Sequence, residues 1–521
     1  MWRKLVRIAA LFALGVLPLP VLGNERCVQC HPAEVRAYAA SPMGNSFGRP
    51  KADPGGSFFH RLSGTRYVVT STHGGMRQRM ERSARAAEYE IGYFIGSGNV
   101  GRSYLVQIGG RLFQSPVSYY SKRRVWDMSP GYEGDAHPDF QRPITADCLF
   151  CHTGGSQPVP GTINRYQNVG TLQPMSCERC HGPVREHLQK PLARNIINPR
   201  KLPARARDSV CEQCHLSGEA RIVNPGRQFA DFQPGMDLES VFTVYVREAA
   251  GDGSAIKVVS HAEQLAMSRC ATQSGERFWC GSCHNPHTVI SDARAYYRNK
   301  CLECHASTLS KGSSKAHQDS AADCTGCHMP SKPASDAPHS AFTDHRIVRF
   351  AKDVHKPSES ERLVAWREAP EALRERNLGL AYVGAGERNQ SAWQLNEGFR
   401  LLAEYRKRSS PDPAVDTALG MVLIRKKAYV EAARLFESAA RVQPDDAMHQ
   451  LNLGVAWSAA GNYARAVQFL ERALEIDSGL EEAYWVLAET YRRMGQEALR
   501  KETLSRLRKF MPQRIDPRLD Q

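Results

Sequence analysis

Fourteen of the fifteen cysteines in this 521-residue chain fall into seven copies of one pentapeptide, C-x-x-C-H. The copies are Cys27, Cys30 and His31; Cys148, Cys151 and His152; Cys177, Cys180 and His181; Cys211, Cys214 and His215; Cys280, Cys283 and His284; Cys301, Cys304 and His305; and Cys324, Cys327 and His328. At this composition chance supplies about 0.015 copies, so the spacing answers a chemical requirement. Two thiols separated by two residues sit one turn apart and reach the two vinyl groups on one edge of a porphyrin. The histidine that follows lies under the macrocycle and supplies an axial ligand to iron. The motif therefore reads as covalent attachment of haem c, seven per chain. Structural zinc sites use C-x-x-C pairs without needing histidine directly after each one. Disulfide frameworks do not repeat a single pentapeptide.

The histidines outside the motifs point to the second axial position. Eleven of the 18 histidines are not in a motif, and ten of those eleven lie in residues 24–355, with only His449 beyond. The candidates are His60, His73, His137, His187, His261, His287, His317, His339, His345 and His355. Of these, His187, His261, His287, His317, His339 and His345 are the expected distal ligands, with His187, His287 and His345 closest to motifs in sequence. Met43 is a weaker candidate, since a thioether ligand would raise that haem's potential relative to His/His. The remaining thiol, Cys270, is read as a small buried hydrophobe.

Seven motifs in residues 24–355 leave roughly 47 residues per haem, too few for a separate apolar core around each. The cofactors must form much of the core themselves. Successive motif starts after the first are 29, 34, 69, 21 and 23 residues apart, which keeps neighbouring macrocycles close and describes an electron conduit. The formal charge of +15 would ordinarily suggest a nucleic-acid or membrane partner. Removing Arg3, Lys4 and Arg7 and adding two ionised propionates per haem brings it to about +5 oxidised and about −2 reduced. No nucleic-acid partner is needed.

The elements that must hold these sites divide the chain. Arg3, Lys4 and Arg7 precede the apolar residues 8–17, and Val21, Leu22 and Gly23 suit cleavage after Gly23. This is the layout of an export signal over residues 1–23, and it leaves no transmembrane span in the mature chain. Mean hydropathy is −0.47. Residues 24–355 are expected to form the haem-bearing domain. Within it, a β-rich insertion at about 56–127 is signalled by strands at 67–70 and 88–95 and by a hairpin, 104–108 with 111–114, turning on Gly109 and Gly110. A small antiparallel subdomain covering the first haem or docking a partner is the expectation. The glycine-rich residues 96–101 lack βαβ context and read as a loop.

Residues 365–521 carry a 34-residue period. Leu419, Gly420, Ala432, Phe436, Ala439 and Pro444 recur as Leu453, Gly454, Ala466, Leu470, Ala473 and Ser478, and again as Leu487, Ala488, Arg500, Leu504, Leu507 and Pro512. Small residues at the second and third positions let paired helices approach, and large ones fill the layer between. This is the tetratricopeptide pattern, with a degenerate copy near residues 378–382. Trp457 and Tyr491 are read as core. Such solenoids bind a protein or peptide on the concave face.

The haem region resembles exported multihaem cytochromes of the cytochrome c-554 and doubled-CXXCH kind, here joined to tetratricopeptide repeats. The carrying stretches are residues 27–32 with Ser41, Pro42 and Met43; residues 176–183 followed by His187; His261 to Cys270 leading into residues 280–287; and Cys327 to Pro330 with His339 and residues 343–345. The resemblance implies mostly bis-histidine haems and periplasmic electron transfer between redox protein partners. Enzymes of the same broad superfamily act on small nitrogen or sulfur species at one haem with an open distal site. The lysine variant of the motif found in nitrite reductases is missing, since all seven fifth positions are histidine. The expected fold class is mainly α: a multihaem domain with a small antiparallel subdomain, then an α-solenoid. The expected role is a periplasmic electron carrier whose repeats dock a protein partner. The alternative is an oxidoreductase with one open haem.

Overall fold

A computed structural model describes residues 24–50, 53–72, 75–248, 256–309, 322–337, 339–348 and 360–513, with Asp516 and Leu519. The signal segment 1–23 and His73, His317 and His355 lie outside the described residues. Among those described, no helix is long and apolar enough to cross a membrane.

The N-terminal sheet is larger than the small subdomain anticipated. It has nine strands: β1 (Phe47–Gly48), β2 (Gly56–His60), β3 (Thr65–Thr72), β4 (Gly75–Arg82), β5 (Arg85–Ile95), β6 (Arg102–Ile108), β7 (Arg111–Tyr120), β8 (Val125–Met128) and β9 (Arg142–Pro143). β2 to β8 follow one another as an antiparallel meander, with β1 on β5 and β9 on β7. β4 alternates as a one-sided strand should: Met76, Gln78 and Met80 face in while Arg77, Arg79 and Glu81 face out. The two-glycine turn between β6 and β7 forms as expected, with φ of +55° at Gly109 and +78° at Gly110. β2 curls round to β8, where the Trp126 indole donates to Pro54 O at 3.0 Å. A Cβ on Gly56 would lie 2.6 Å from that ring, so only glycine lets the strands approach.

The two faces of the sheet have different work. One side encloses Tyr67, Met76, Met80, Ile91, Tyr104, Phe113 and Trp126. An irregularity in β5 between Ile91 and Tyr93 turns Tyr93 to the other side. There it joins Phe47, Leu105, Leu112, Ile144 and Leu149 against the helix Ala146–His152, which carries the second motif. The sheet thus covers the second motif rather than the first.

From residue 144 to 348 the motifs ride helices that range from 4 residues (Glu178–His181) to 17 (Ala293–Leu309). Two small sheets interrupt this region. β10 (Ala220–Val223) pairs β11 (Phe242–Arg247), and β12 (Ser331–Pro333) pairs β13 (Ala341–Thr343). β11 also takes a strand from beyond the motifs, β14 (Leu363–Ala365).

Eight helices then stack in antiparallel pairs: Arg374–Asn389 with Ala392–Lys407, Pro413–Arg425 with Tyr429–Val442, Ala447–Ala459 with Tyr463–Ile476, and Glu481–Arg493 with Glu497–Phe510. Asp412 and Asp446 cap their helices by accepting two backbone N–H bonds each, satisfying donors with no partner inside the helix. The small positions act as the period requires. A Cβ on Gly420 would sit 2.4 Å from the Phe436 ring, and one on Gly454 2.4 Å from Leu470. Trp457 and Tyr491 are buried, as read. Both ends of the array are fastened to the rest of the chain. Asn377 donates to Asn224 and Thr243 at 3.0 and 3.2 Å, and Phe510 and Met511 enter the sheet's core.

Candidate functional site

Each motif is a single helical turn. His31 N donates to Cys27 O at 2.8 Å, His181 N to Cys177 O at 2.9 Å, and His284 N to Cys280 O at 2.9 Å. This bond places the imidazole one turn beyond the first thiol, on the same side. All fifteen thiols are free of disulfides.

Four motif histidines, His31, His181, His215 and His284, are met by histidines from elsewhere in the chain. His31 faces His187 with ring centroids 6.4 Å apart and planes 22° apart. His181 faces His287 at 5.7 Å and 26°, and His284 faces His345 at 6.1 Å and 33°. His215 meets His261 at 5.4 Å and 83°, and His261 in turn lies 4.9 Å from His345. Two imidazoles sharing one iron at about 2 Å each hold their centroids about 6 Å apart. The pairs sit close to that separation. Among the described residues no group of three or more His, Cys, Asp or Glu side chains converges on a metal position.

Hydrogen bonds orient the rings. The Nδ1 atoms of His181, His328, His187 and His345 bond the carbonyls of Ile197, Val348, Leu192 and Thr343 at 2.7, 2.8, 3.2 and 2.9 Å. His284 Nδ1 bonds the Tyr297 hydroxyl at 3.2 Å. A carbonyl accepts only from a protonated Nδ1, so Nε2 keeps the lone pair that binds metal. Desolvation also favours the neutral form of several imidazoles. It pushes His152 down to about 4, with His215 adding to the shift. His261 falls to about 3 through burial and then the nearby His215, His345 and His284. His284 falls to about 4 by burial and His345. His261 Nδ1 is buried without a hydrogen-bond partner.

Residues within the motifs that bind nothing themselves tie the turns together. The Arg179 guanidinium stacks 4.1 Å over Phe150 and donates to its carbonyl at 2.9 Å. Gln213 donates to Arg179 O at 3.0 Å. The second, third and fourth motifs are therefore one unit. The first joins through Tyr38, whose hydroxyl donates to Met175 O at 3.1 Å. Thiols of neighbouring motifs also touch, Cys27 with Cys177, Cys151 with Cys214, Cys211 with Cys280 and Cys301 with Cys324. Sequence reasoning missed Arg179 and Gln213, at variable positions of C-x-x-C-H, and Tyr38, on the helix Pro32–Ala40, and nothing in those positions gave a signal.

Other candidates lie elsewhere. His339 is held at both nitrogens, Nε2 by Asp127 at 2.6 Å and Nδ1 by Arg123 at 2.8 Å, beside Tyr120. It faces the sheet instead of a motif histidine. His60 bonds Ser63 and the Glu133 carbonyl, and His137 is exposed. Met43 is half-buried in the turns after the helix Pro32–Ala40. Cys270 is half-buried, its thiol pushed up by burial and by Cys304. His305 is exposed on the helix Ala293–Leu309.

Two stretches of the chain match known families. Residues 123–182, from the end of the sheet through the third motif, match the family cytochrome c554 and c-prime. Residues 400–481 match the tetratricopeptide repeat. The chain thus holds a cytochrome-c554-like stretch and a tetratricopeptide stretch. No curated protein matches it. Among solved structures it is similar to MamA MSR-1 C2 (21% identity, 27% of this chain and 78% of that one, TM-score 0.25). It is similar too to MamA 41-end from Desulfovibrio magneticus RS-1 (16% identity, 28% and 82%, TM-score 0.25). A third is YrrB, a TPR protein with an unusual peptide-binding site (19% identity, 27% and 71%, TM-score 0.24).

Proposed function

We propose that this chain is an exported, periplasmic c-type cytochrome that carries electrons through seven covalently bound haems and docks a protein partner on its helical repeats. The observation that carries the reading is the set of paired imidazoles, above all His31 with His187 at 6.4 Å. Covalently attached haem supplies reversible one-electron chemistry. The residues of the chain do the rest. Cys27 and Cys30, and the corresponding thiols of the other six motifs, form the thioether links. His31, His152, His181, His215, His284, His305 and His328 are the proximal ligands. His187 serves the iron of His31, His287 that of His181, His261 that of His215, and His345 that of His284. The carbonyls of Ile197, Leu192 and Thr343 hold His181, His187 and His345 in the tautomer that ligates, and desolvation favours the neutral form of His215, His261, His284, His287 and His345.

The test is the mass of the mature protein. A chain beginning at Asn24 and heavier by seven haems supports the reading, and an excess of six or fewer in fully matured protein removes the seven-haem claim.

One observation favours a second reading. His152 is half-buried, desolvation favours its neutral form, and the imidazole adding to that shift is His215, itself a motif histidine. A haem there with an open distal side would make the chain an oxidoreductase acting on a small nitrogen or sulfur species. A high-spin ferric fraction that binds nitrite, hydroxylamine or cyanide would select this reading, and a wholly low-spin protein would discard it.

A further inference from the structure

Between the third and fourth motifs, residues 185–201 form the short helix Arg185–Gln189 and two tight helical turns, Ala193–Asn195 and Pro199–Lys201. The inner edge of this segment holds imidazoles. His187 reaches to His31 while bonded to Leu192 O at 3.2 Å, and the Ile197 carbonyl orients His181 at 2.7 Å. Gly182 allows that approach: its φ is +71°, and a Cβ there would lie 2.9 Å from Ile197 Cδ1.

The outer edge is cationic. Arg185, Lys190, Arg194, Arg200 and Lys201 are all exposed, against the single carboxylate Glu186. Among the described residues none of the five makes an ion pair, whereas the next two arginines are satisfied, Arg205 by Glu239 at 2.9 Å and Arg207 by Asp208 at 2.8 Å. Apolar groups stand next to the paired rings: Leu188, 45% exposed, adjoins His187, and Val28, 40% exposed, lies inside the first motif. An uncompensated run of like charge costs self-repulsion, and its use is to steer an anionic partner. Here the run is built from the same backbone that holds a ligand of one motif and orients the ligand of another.

We infer that residues 185–201 are the docking surface for a small acidic redox protein, which seats against the cofactors held by His31 and His181. The inference rests on reading the motifs as haem sites. Exposed arginine forks give such a partner's carboxylates bidentate hydrogen bonds. Exposed apolar groups, Leu188 and Val28, alongside charged side chains match the composition of protein interfaces.

The test uses the full-length holoprotein and a flavodoxin, a small acidic one-electron carrier, as the probe. Stopped-flow reduction is compared for wild type, the triple variant Arg194→Gln, Arg200→Gln, Lys201→Gln, and a control triple on the repeats, Lys427→Gln, Lys501→Gln, Lys509→Gln. At low ionic strength the first variant should react about tenfold more slowly than wild type, the control within about twofold, and all three should converge at high salt. Lys201→Gln alone should fall about twofold, which keeps the test decisive if the triple variant matures poorly. Equal losses in both triple variants would show that overall charge matters and not this surface. Shifted midpoint potentials with unchanged salt dependence would mean that the cations neutralise propionates. Co-sedimentation with phosphatidylglycerol vesicles that depends on the same cations, with no effect on flavodoxin, would assign the surface to lipid. Each of these outcomes overturns the inference. A chain lacking covalent haem by mass refutes the haem reading instead, before any rate is measured.

Discussion

Arg111, at the start of β7, and Asp477, after the repeat helix Tyr463–Ile476, form an ion pair with 3% and 1% of their side chains exposed. Nε and Nη2 of Arg111 both donate to Oδ1, the former at 2.9 Å, and Oδ2 accepts the Ile163 N–H at 3.2 Å. The Phe510 ring lies 5.1 Å from the guanidinium. The repeat array is therefore bolted to the sheet through a dry contact. Removing one member of a buried pair leaves the other charged and unsolvated, which costs about 3–5 kcal/mol. Asp477→Ala should lower stability by that amount, measured by denaturant unfolding followed by circular dichroism. Glu397→Ala, which breaks an exposed pair with Arg400, should cost under about 1 kcal/mol.

His187 and His339 should behave differently although both looked like distal ligands. His187→Ala should convert one ferric haem from low to high spin, because His187 faces His31. His339→Ala should leave the spin state unchanged, because Asp127 and Arg123 occupy both its nitrogens. Electron paramagnetic resonance of the two ferric variants decides the matter.

The small repeat positions should resist enlargement. Gly454→Val places a branched side chain where even a Cβ would be 2.4 Å from Leu470. Overpacking of this kind costs about 1–3 kcal/mol, more than the roughly 1 kcal/mol that replacing glycine returns to a helix. The variant should melt several degrees lower, read by far-ultraviolet circular dichroism.

Glu212 should make stability depend on pH. It lies inside the fourth motif, bonded to Trp366 Nε1 at 3.1 Å and Arg367 Nη2 at 2.9 Å. Burial raises its carboxyl from 4.5 to about 7, outweighing the pull of Arg367. A carboxyl raised on folding stabilises the protonated state. Its contribution is complete below about pH 4.5 and is lost as pH rises through about 7. Glu212→Gln should flatten the change in melting temperature between pH 5 and pH 7.5. An unaltered profile would assign the dependence to other groups.

What could be read without a structure was whatever is local. C-x-x-C-H is decided within one turn, because the thiols and the imidazole must meet the same cofactor edge. The 34-residue period is decided within one helix pair, because Gly420 and Phe436 touch across it. The β6 to β7 hairpin follows from its two glycines. β4 went unread because its outward arginines hide the alternation of Met76, Gln78 and Met80, and the sheet was accordingly underestimated. Tertiary structure alone decided which histidine meets which. The fold that brings His31 to His187 also holds the Tyr38 bond to Met175 and the close approach of Ile197 to Gly182. His339 is claimed by Asp127, on a strand far from it in the chain. An imidazole carries the same donor and acceptor wherever it stands. Only the fold determines whether a carboxylate or another imidazole arrives in front of it.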